Sequence, residues 1–427
     1  MGHIFMARLP NKRLRIAIIG GGVSGNVCAY LLHKNHDVTV FTADKHNGGH
    51  THTHSIEFEN RQLEVDTGFM VYNQRTYPLF VKLLDELGIE SQKSDMSFSV
   101  RSEQSNLEYS GSSFNGLFAQ RSNLVYPAFY KMLRDIMRFN REAPLALESC
   151  DDRLTLETYL RENHYGDYFI QNYLVPLGAS IWSARADRFL AFPLNFLIAF
   201  LDNHGLLQVR DRPQWYTICG GARRYLEAMT SSFKNSIRVA CPIDRVSRFP
   251  DRVQLQTKAG EALEYDQVIF ATHADTTLRL LADPTNAETE ILQQFEYQQN
   301  DAVVHTDQSW LPKRRRAWAS WNYHVSNHPE TPASVTYDVN RLQKLGCSKP
   351  LCVTLNPTRP IADHYVLEIA KYRHPVFSAG TLGTQKRHQE ISGKNRSFFC
   401  GAYWGFGFHE DGVRSGLAVA ELFGKAL

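Results

Sequence analysis

Short apolar runs set the first elements of the chain. Residues Arg15–Ile19 predict a buried strand, residues 24–33 a helix that starts directly after a cluster of glycines, and Asp37–Phe41 a second strand. A strand, glycine turn, helix and strand in that order closes right-handed and parallel. Residues 56–65 read as a hairpin turning at Asn60, and 77–87 have helical periodicity ended by Gly88. From about residue 124 to 207 the pattern is helical and rich in aromatics. Residues 238–270 return to β, with runs around Val246 and at 253–256, a turn at Gly260 and a buried strand Gln267–Phe270. Short strands with turn signals fill 301–360, and 416–427 close the chain as an amphipathic helix after a glycine-rich strand and turn. The pattern predicts an α/β chain in which one domain, 1–75, 212–275 and 390–427, is interleaved with a mixed α+β domain, 76–211 and 276–389.

Composition narrows the class. Of 427 residues, 43% are apolar, with 25 Phe, 19 Tyr and 6 Trp, which excludes general disorder and supplies material for two cores. A net charge of +3 is too small to imply nucleic acid. Seven cysteines without a CxxC pair argue against a disulfide framework and a thiolate zinc site, and fit a reducing, cytoplasmic setting. Residues 16–32 are uncharged behind Lys12, Arg13 and Arg15, as in a signal peptide, but Gly20, Gly21, Gly22 and Gly25 would break such a helix.

Those glycines carry the first candidate chemistry. Gly20-x-Gly22-x-x-Gly25 lies between a strand and a helix, where a dinucleotide fingerprint needs a tight turn, a close approach of the pyrophosphate and close helix packing. The acid expected at the end of the second strand is replaced by Thr42, and Asp44 reads equally as a substitute ribose ligand or as a solvated turn residue. Gly48-Gly49 offers a second stretch of backbone to the pyrophosphate. Around it stand His46, His50, His52 and His54, whose alternation would put three imidazoles on one strand face; without a carboxylate or thiol at matching spacing, no metal is expected.

At the far end, Glu410 and Asp411 suit the first turn of a helix, and the preceding glycines among Trp404, Phe406 and Phe408 imply either backbone against a flat ligand or plain core. Lys313 to Arg316, followed by Trp318, Trp321 and Tyr323, read either as a solvated basic loop or as a face for an anionic membrane.

Residues 16–25, Gly48-Gly49, 66–69, 267–273 and 400–416, taken in order, resemble the superfamily of FAD-dependent amine oxidases and phytoene desaturases. The strings VDTGFMVYNQRTYP, SDMSFSV, NHGLLQVRDRPQW, HTDQSWLPKRRRAWASWNYH, VTLNP and GFHEDG are similar to a bacterial subfamily described as predicted NAD/FAD-binding proteins. The resemblance implies a Rossmann-like FAD-binding domain interleaved with a substrate domain. It implies FAD held by Gly20, Gly22, Val23, Ser24, Gly25, Asp44, Gly48, Gly49, His50, Thr51, Ile243 (by its backbone, near the adenine), Thr272, Gly401, Glu410, Asp411 and Val413, with the Val413 N–H near the flavin ring. His409, Glu410 and Trp404 are the expected catalytic residues. Thr42, His50 and Ala402 depart from the acid, arginine and acid usual in the superfamily.

The expected function is FAD-dependent oxidation or desaturation of a hydrophobic substrate such as a modified fatty acyl chain, by hydride transfer to flavin. Oxidation of a hydrophobic amine, an NAD(P)H-dependent reduction, and a non-catalytic flavin-binding role beside an acyl-modifying enzyme are the alternatives. Similarity to proteins encoded beside cyclopropane-fatty-acid-synthase-like methyltransferases implies a partner of that kind, and the basic loop implies peripheral contact with the inner membrane face.

Overall fold

The computed structural model describes residues 12–147, 154–208, 211–326 and 334–427. Strand β1 (Arg15–Ile19), helix α1 (Val23–Leu32) and strand β2 (Asp37–Phe41) form the expected unit. A five-stranded sheet grows from it in the order Ile237–Arg238, β2, β1, Gln267–Phe270, Ser397–Phe399, every pair parallel. Ile16, Ala17 and Ile18 are fully buried, as a parallel strand covered on both faces requires. Three distant stretches of sequence therefore meet in one sheet.

The last helix spans His409–Leu422, starting seven residues before the expected 416. Gly412 and Gly416, which lower helix propensity, hid its beginning; both are used for packing on α1. A Cβ at Gly412 would stand 2.5 Å from Val23 Cγ1, and one at Gly416 would stand 2.6 Å from the Ser24 carbonyl oxygen.

Strands β3 (Thr53–Phe58) and β4 (Arg61–Asp66) make the hairpin, with Glu59 and Asn60 both at positive φ, the backbone of a type I′ turn. Helix α2 (Pro78–Leu87) ends at a left-handed Gly88. It packs on the final helix and on helix Arg223–Thr230, beside the five-stranded sheet.

The second large sheet has seven strands in the order Val366–Val376, Glu296–His305, Cys352–Leu355, Ser334–Asp338, Trp321–Val325, Phe98–Ser102, Leu107–Ser110. Its eleven-residue edge strand Val366–Val376 carries no clean alternation, being half exposed along much of its length, and was not marked by the hydrophobic pattern. Helices between residues 114 and 203 cover one face of this sheet, with Phe129, Phe139, Phe169, Phe189 and Phe192 fully buried between them. Among the described residues no helix is long and apolar enough to cross a membrane.

Candidate cofactor and active site

The glycine loop is shaped by its neighbours. Gly20 sits at φ 117°, and a Cβ there would lie 2.5 Å from the Ala271 carbonyl oxygen on the adjacent strand. A Cβ at Gly25 would overlap the Gly20 carbonyl oxygen, so helix and strand touch at this point. Gly22 differs: a Cβ there meets no atom within 4 Å. Its open side coincides with the start of α1, which has no capping side chain and no acid in its first turn, leaving the first amides of the helix, from Val23 onward, without an intrahelical partner.

The second glycine pair is tied to the first. Gly48 N–H donates to the Gly21 carbonyl at 2.7 Å, the Asn26 amide donates to the same oxygen at 2.6 Å, and Asn47 donates to Asn26 at 2.9 Å. A Cβ at Gly49 would stand 3.2 Å from Gly22 Cα, so both turns border one space. Next along the chain, His50 Nε2, like His46 Nε2, is buried without a hydrogen-bond partner. Free helix amides, an orphaned imidazole nitrogen and the open side of Gly22 suit the diphosphate of a dinucleotide.

Toward the adenosine end, Thr42 is buried and its carbonyl accepts from Cys241 N–H at 2.9 Å, while the Asp44 carbonyl accepts from Ala240 N–H at 2.7 Å. These bonds bring Ile243, two residues further on, beside the end of β2. Asp44 itself is exposed. Thr272, at the end of strand Gln267–Phe270, bonds Thr277 through their hydroxyls at 2.8 Å.

At the other end the final helix begins. Glu410 is enclosed and accepts from Leu79 N–H at 3.1 Å and Phe80 N–H at 2.9 Å, so it caps α2; burial pushes its pKa up. Asp411 accepts from Phe408 N–H at 3.0 Å, and burial raises it to about 6. Val413 is the fifth helical residue, where the N–H already belongs to the i→i−4 ladder; the amides outside that ladder are those of His409, Glu410 and Asp411. Gly401 N–H donates to Ser415 Oγ at 3.0 Å. Trp404 packs on Phe295 and His388 and is not brought to His409. Phe406 and Phe408 turn the other way, onto Phe196, Phe200 and Trp182.

His409 is the best-defined residue here. Its ring stacks on Phe69, centroids 3.8 Å apart, and Nε2 lies 2.6 Å from the Tyr225 hydroxyl, which lies 2.7 Å from Thr51 Oγ1. Tyr225, Tyr372 and His374 lie outside the stretches that carry the sequence resemblance, whereas Phe69 and His273 end two of them. Tyr225 lies 174 residues from Thr51, and no local spacing links them.

Burial sets the electrostatics. His50 is lowered to about 4 by loss of solvent, and His273, His374 and His409 to about 3 by loss of solvent first and His50 second. All four are neutral at pH 7. His50 has Tyr372 and His374 at 5.0 and 5.2 Å between ring centroids, whereas His46, His52 and His54 lie in a row at 4.0 Å spacings, the first pair stacked and the second tilted by 42°. The alternating imidazoles thus part company; among the described residues no group of three or more His, Cys, Asp or Glu is arranged to hold a metal.

The basic run is only partly free. The Lys313 and Arg314 amides and the Arg314 guanidinium all bond the buried Glu108. Trp318 Nε1–H donates to the Pro312 carbonyl, Trp321 meets Tyr337 edge to face, and Tyr323 is buried. These aromatics belong to the fold and do not form the outward face expected of them.

Residues 23–336 match the family model of flavin containing amine oxidoreductases. Cyclohexylamine oxidase from Brevibacterium oxydans IH-35A is similar in structure, with a TM-score of 0.70 at 14% identity over 96% of this chain and 98% of that one. A fatty acid isomerase from P. acnes that produces CLA has a TM-score of 0.69 at 15% identity, with 96% and 98% covered. Putrescine oxidase bound to putrescine gives 0.69 at 14%, with 96% and 99% covered. None of the curated proteins matches the chain in sequence.

Proposed function

The chain belongs to the flavin containing amine oxidoreductases, and from that premise we propose that this FAD-dependent oxidoreductase takes a hydride from a neutral, hydrophobic substrate such as a modified acyl chain. Bound FAD supplies the hydride acceptor. The five-stranded unit is assigned to the cofactor: amides of Val23 and Ser24 at the open side of Gly22, the Gly48–Gly49 turn and His50 Nε2 would hold the diphosphate, and the amides of His409, Glu410 and Asp411 would stabilise negative charge on the reduced ring. The seven-stranded unit and its helices are assigned to the substrate.

One observation carries the choice of a neutral substrate. The titratable groups gathered between the two units, His50, His273, His374 and His409, are held uncharged by burial, and, exposed Asp44 aside, the carboxyl groups around them are engaged: Asp66 by Thr53 and the Ala222 amide, Asp275 by Arg373, Glu410 and Asp411 by backbone amides. An ammonium group entering there would find no free counter-charge. Phe196, Phe200, Phe377, Phe406, Phe408 and Trp182 pack on one another as an apolar cluster. With Nδ1 protonated, His409 Nε2 accepts a hydrogen bond from the Tyr225 hydroxyl, which in turn accepts one from Thr51, and this fixes the imidazole without charging it. The similarity to a fatty acid isomerase supports an acyl chain; that to putrescine and cyclohexylamine oxidases supports a hydrophobic amine as the second reading.

Anaerobic stopped flow separates them. Bleaching of the flavin by acyl substrates and not by primary amines is the expected result, and bleaching by amines alone overturns the acyl reading.

A further inference from the structure

Away from the cofactor, one surface of the helical layer combines features that a water-facing helix does not need. Helix Pro127–Ala146 is twenty residues long and exposes Tyr130, Lys131, Arg134, Met137, Arg141 and Leu145. Their spacing keeps them on a single face about 120° wide at 100° per residue. That face mixes cations with large apolar side chains: Met137 is 57% and Leu145 64% exposed. Its neighbouring acid Glu142 is already paired with Arg138 and Arg141.

The chain entering this helix extends the pattern. Val125 is 82% and Phe114 72% exposed, and Leu124 and Tyr126 are exposed beside them. These tips are held in place. Phe114 packs on Phe118 at 4.9 Å between ring centroids, Phe118 on Phe129 at 5.7 Å, and the Tyr130 hydroxyl donates to the Leu124 carbonyl at 2.9 Å. The turn Arg315–Ala317 packs against helix Phe114–Leu117, which brings exposed Lys313, Arg315 and Arg316 to the same side.

We propose that this face, the exposed stripe of helix Pro127–Ala146 with Phe114, Leu124, Val125 and Tyr126, lies in the interface of an anionic phospholipid bilayer. Apolar tips would enter the headgroup boundary, and Lys131, Arg134, Lys313, Arg315 and Arg316 would meet lipid phosphates at its level. Charge decides between occupants. A second copy of the chain would bring two cationic sets together, whereas an anionic surface complements both halves of the pattern. The inference stands on the surface alone, and an amine substrate would leave it intact.

The test is flotation of the FAD-loaded full chain with vesicles of phosphatidylcholine alone and with about one third phosphatidylglycerol. Binding to the anionic vesicles at low salt, much reduced at high salt and absent on neutral vesicles, is the expected result. Phe114→Ser with Val125→Ser, and separately Lys131→Gln with Arg134→Gln, should each lower the bound fraction by about tenfold with flavin absorbance and thermal unfolding unchanged. No flotation, equal binding to both vesicles, or variants that bind like the parent overturns the proposal. So does light scattering that finds a dimer which Val125→Ser disperses, since the face then belongs to a second copy.

Discussion

His409 and Phe69 stack with their ring planes 13° apart, and this pair marks where the final helix meets the segment following β4. Tyr225 closes the pair from the side, with its hydroxyl on His409 Nε2 and Thr51. Tyr225→Phe removes the shared partner of two buried groups. We expect a loss of about 1–3 kcal/mol in stability and flavin reduction slowed by about tenfold. Because His409 titrates near 3, the rate should show no inflection from it between about pH 5 and 8. An inflection near 6.5 that disappears in His409→Gln would contradict the neutral assignment.

Gly22 and Gly25, three residues apart, should behave differently. Gly22→Ala places its methyl where no protein atom lies, so the apoprotein should unfold normally while its flavin content falls by about tenfold. Gly25→Ala forces its methyl onto the Gly20 carbonyl and should cost about 1–3 kcal/mol in the apoprotein as well. Urea unfolding together with flavin absorbance separates a cofactor cradle from a packing site.

Glu410 is expected to act through structure. Glu410→Ala leaves the Leu79 and Phe80 amides without their acceptor and should cost about 1–2 kcal/mol. Flavin reduction should stay within about twofold, since helix caps act on stability. A large fall in rate without a change in unfolding would return Glu410 to the chemistry.

Acid should weaken the fold. His50, His204, His273, His305, His374 and His409 are lowered to between about 3 and 4, all mainly by burial. Between pH 6.5 and 4 the unfolded chain binds protons that the folded chain refuses. Stability therefore rises with pH across this window, by up to about 1.4 kcal/mol per pH unit for each histidine. Asp66 and Asp411, raised by burial to about 7 and 6, act with the opposite sign: the stability they contribute is present at low pH and lost as pH climbs through those values. His52 is likewise lowered to about 3, and Glu410 and Asp338 are likewise raised, so seven imidazoles oppose four carboxyl groups and the urea midpoint should be lower at about pH 5 than at pH 6.5. An equal or higher midpoint at the lower pH would contradict the burial of these imidazoles in neutral form.

What could be read from sequence follows from the range of the interactions. Gly20, Gly22 and Gly25 lie within six residues, between two apolar runs, and their spacing states the turn they make. The start of the last helix was obscured because Gly412 and Gly416 answer to α1, nearly four hundred residues away in sequence, and not to helix propensity. Glu410 looked like a group for chemistry because its partners, Leu79 and Phe80, are 331 and 330 residues distant. Trp404 is grouped with His409 and Glu410 by sequence neighbourhood, whereas alternate residues of that segment face separate cores. The methyltransferase-like partner rests on resemblance and corresponds to no feature of the described surface.

The central claim is a bound FAD lying between the Gly20–Gly25 loop and the amides that open the final helix. Its most direct test is titration of the purified apoprotein with FAD, followed by visible absorbance after removal of free cofactor. A yellow protein carrying one FAD per chain is expected, with the Gly22→Ala variant nearly colourless; a parent chain that stays colourless after reconstitution would overturn the assignment of FAD to this site.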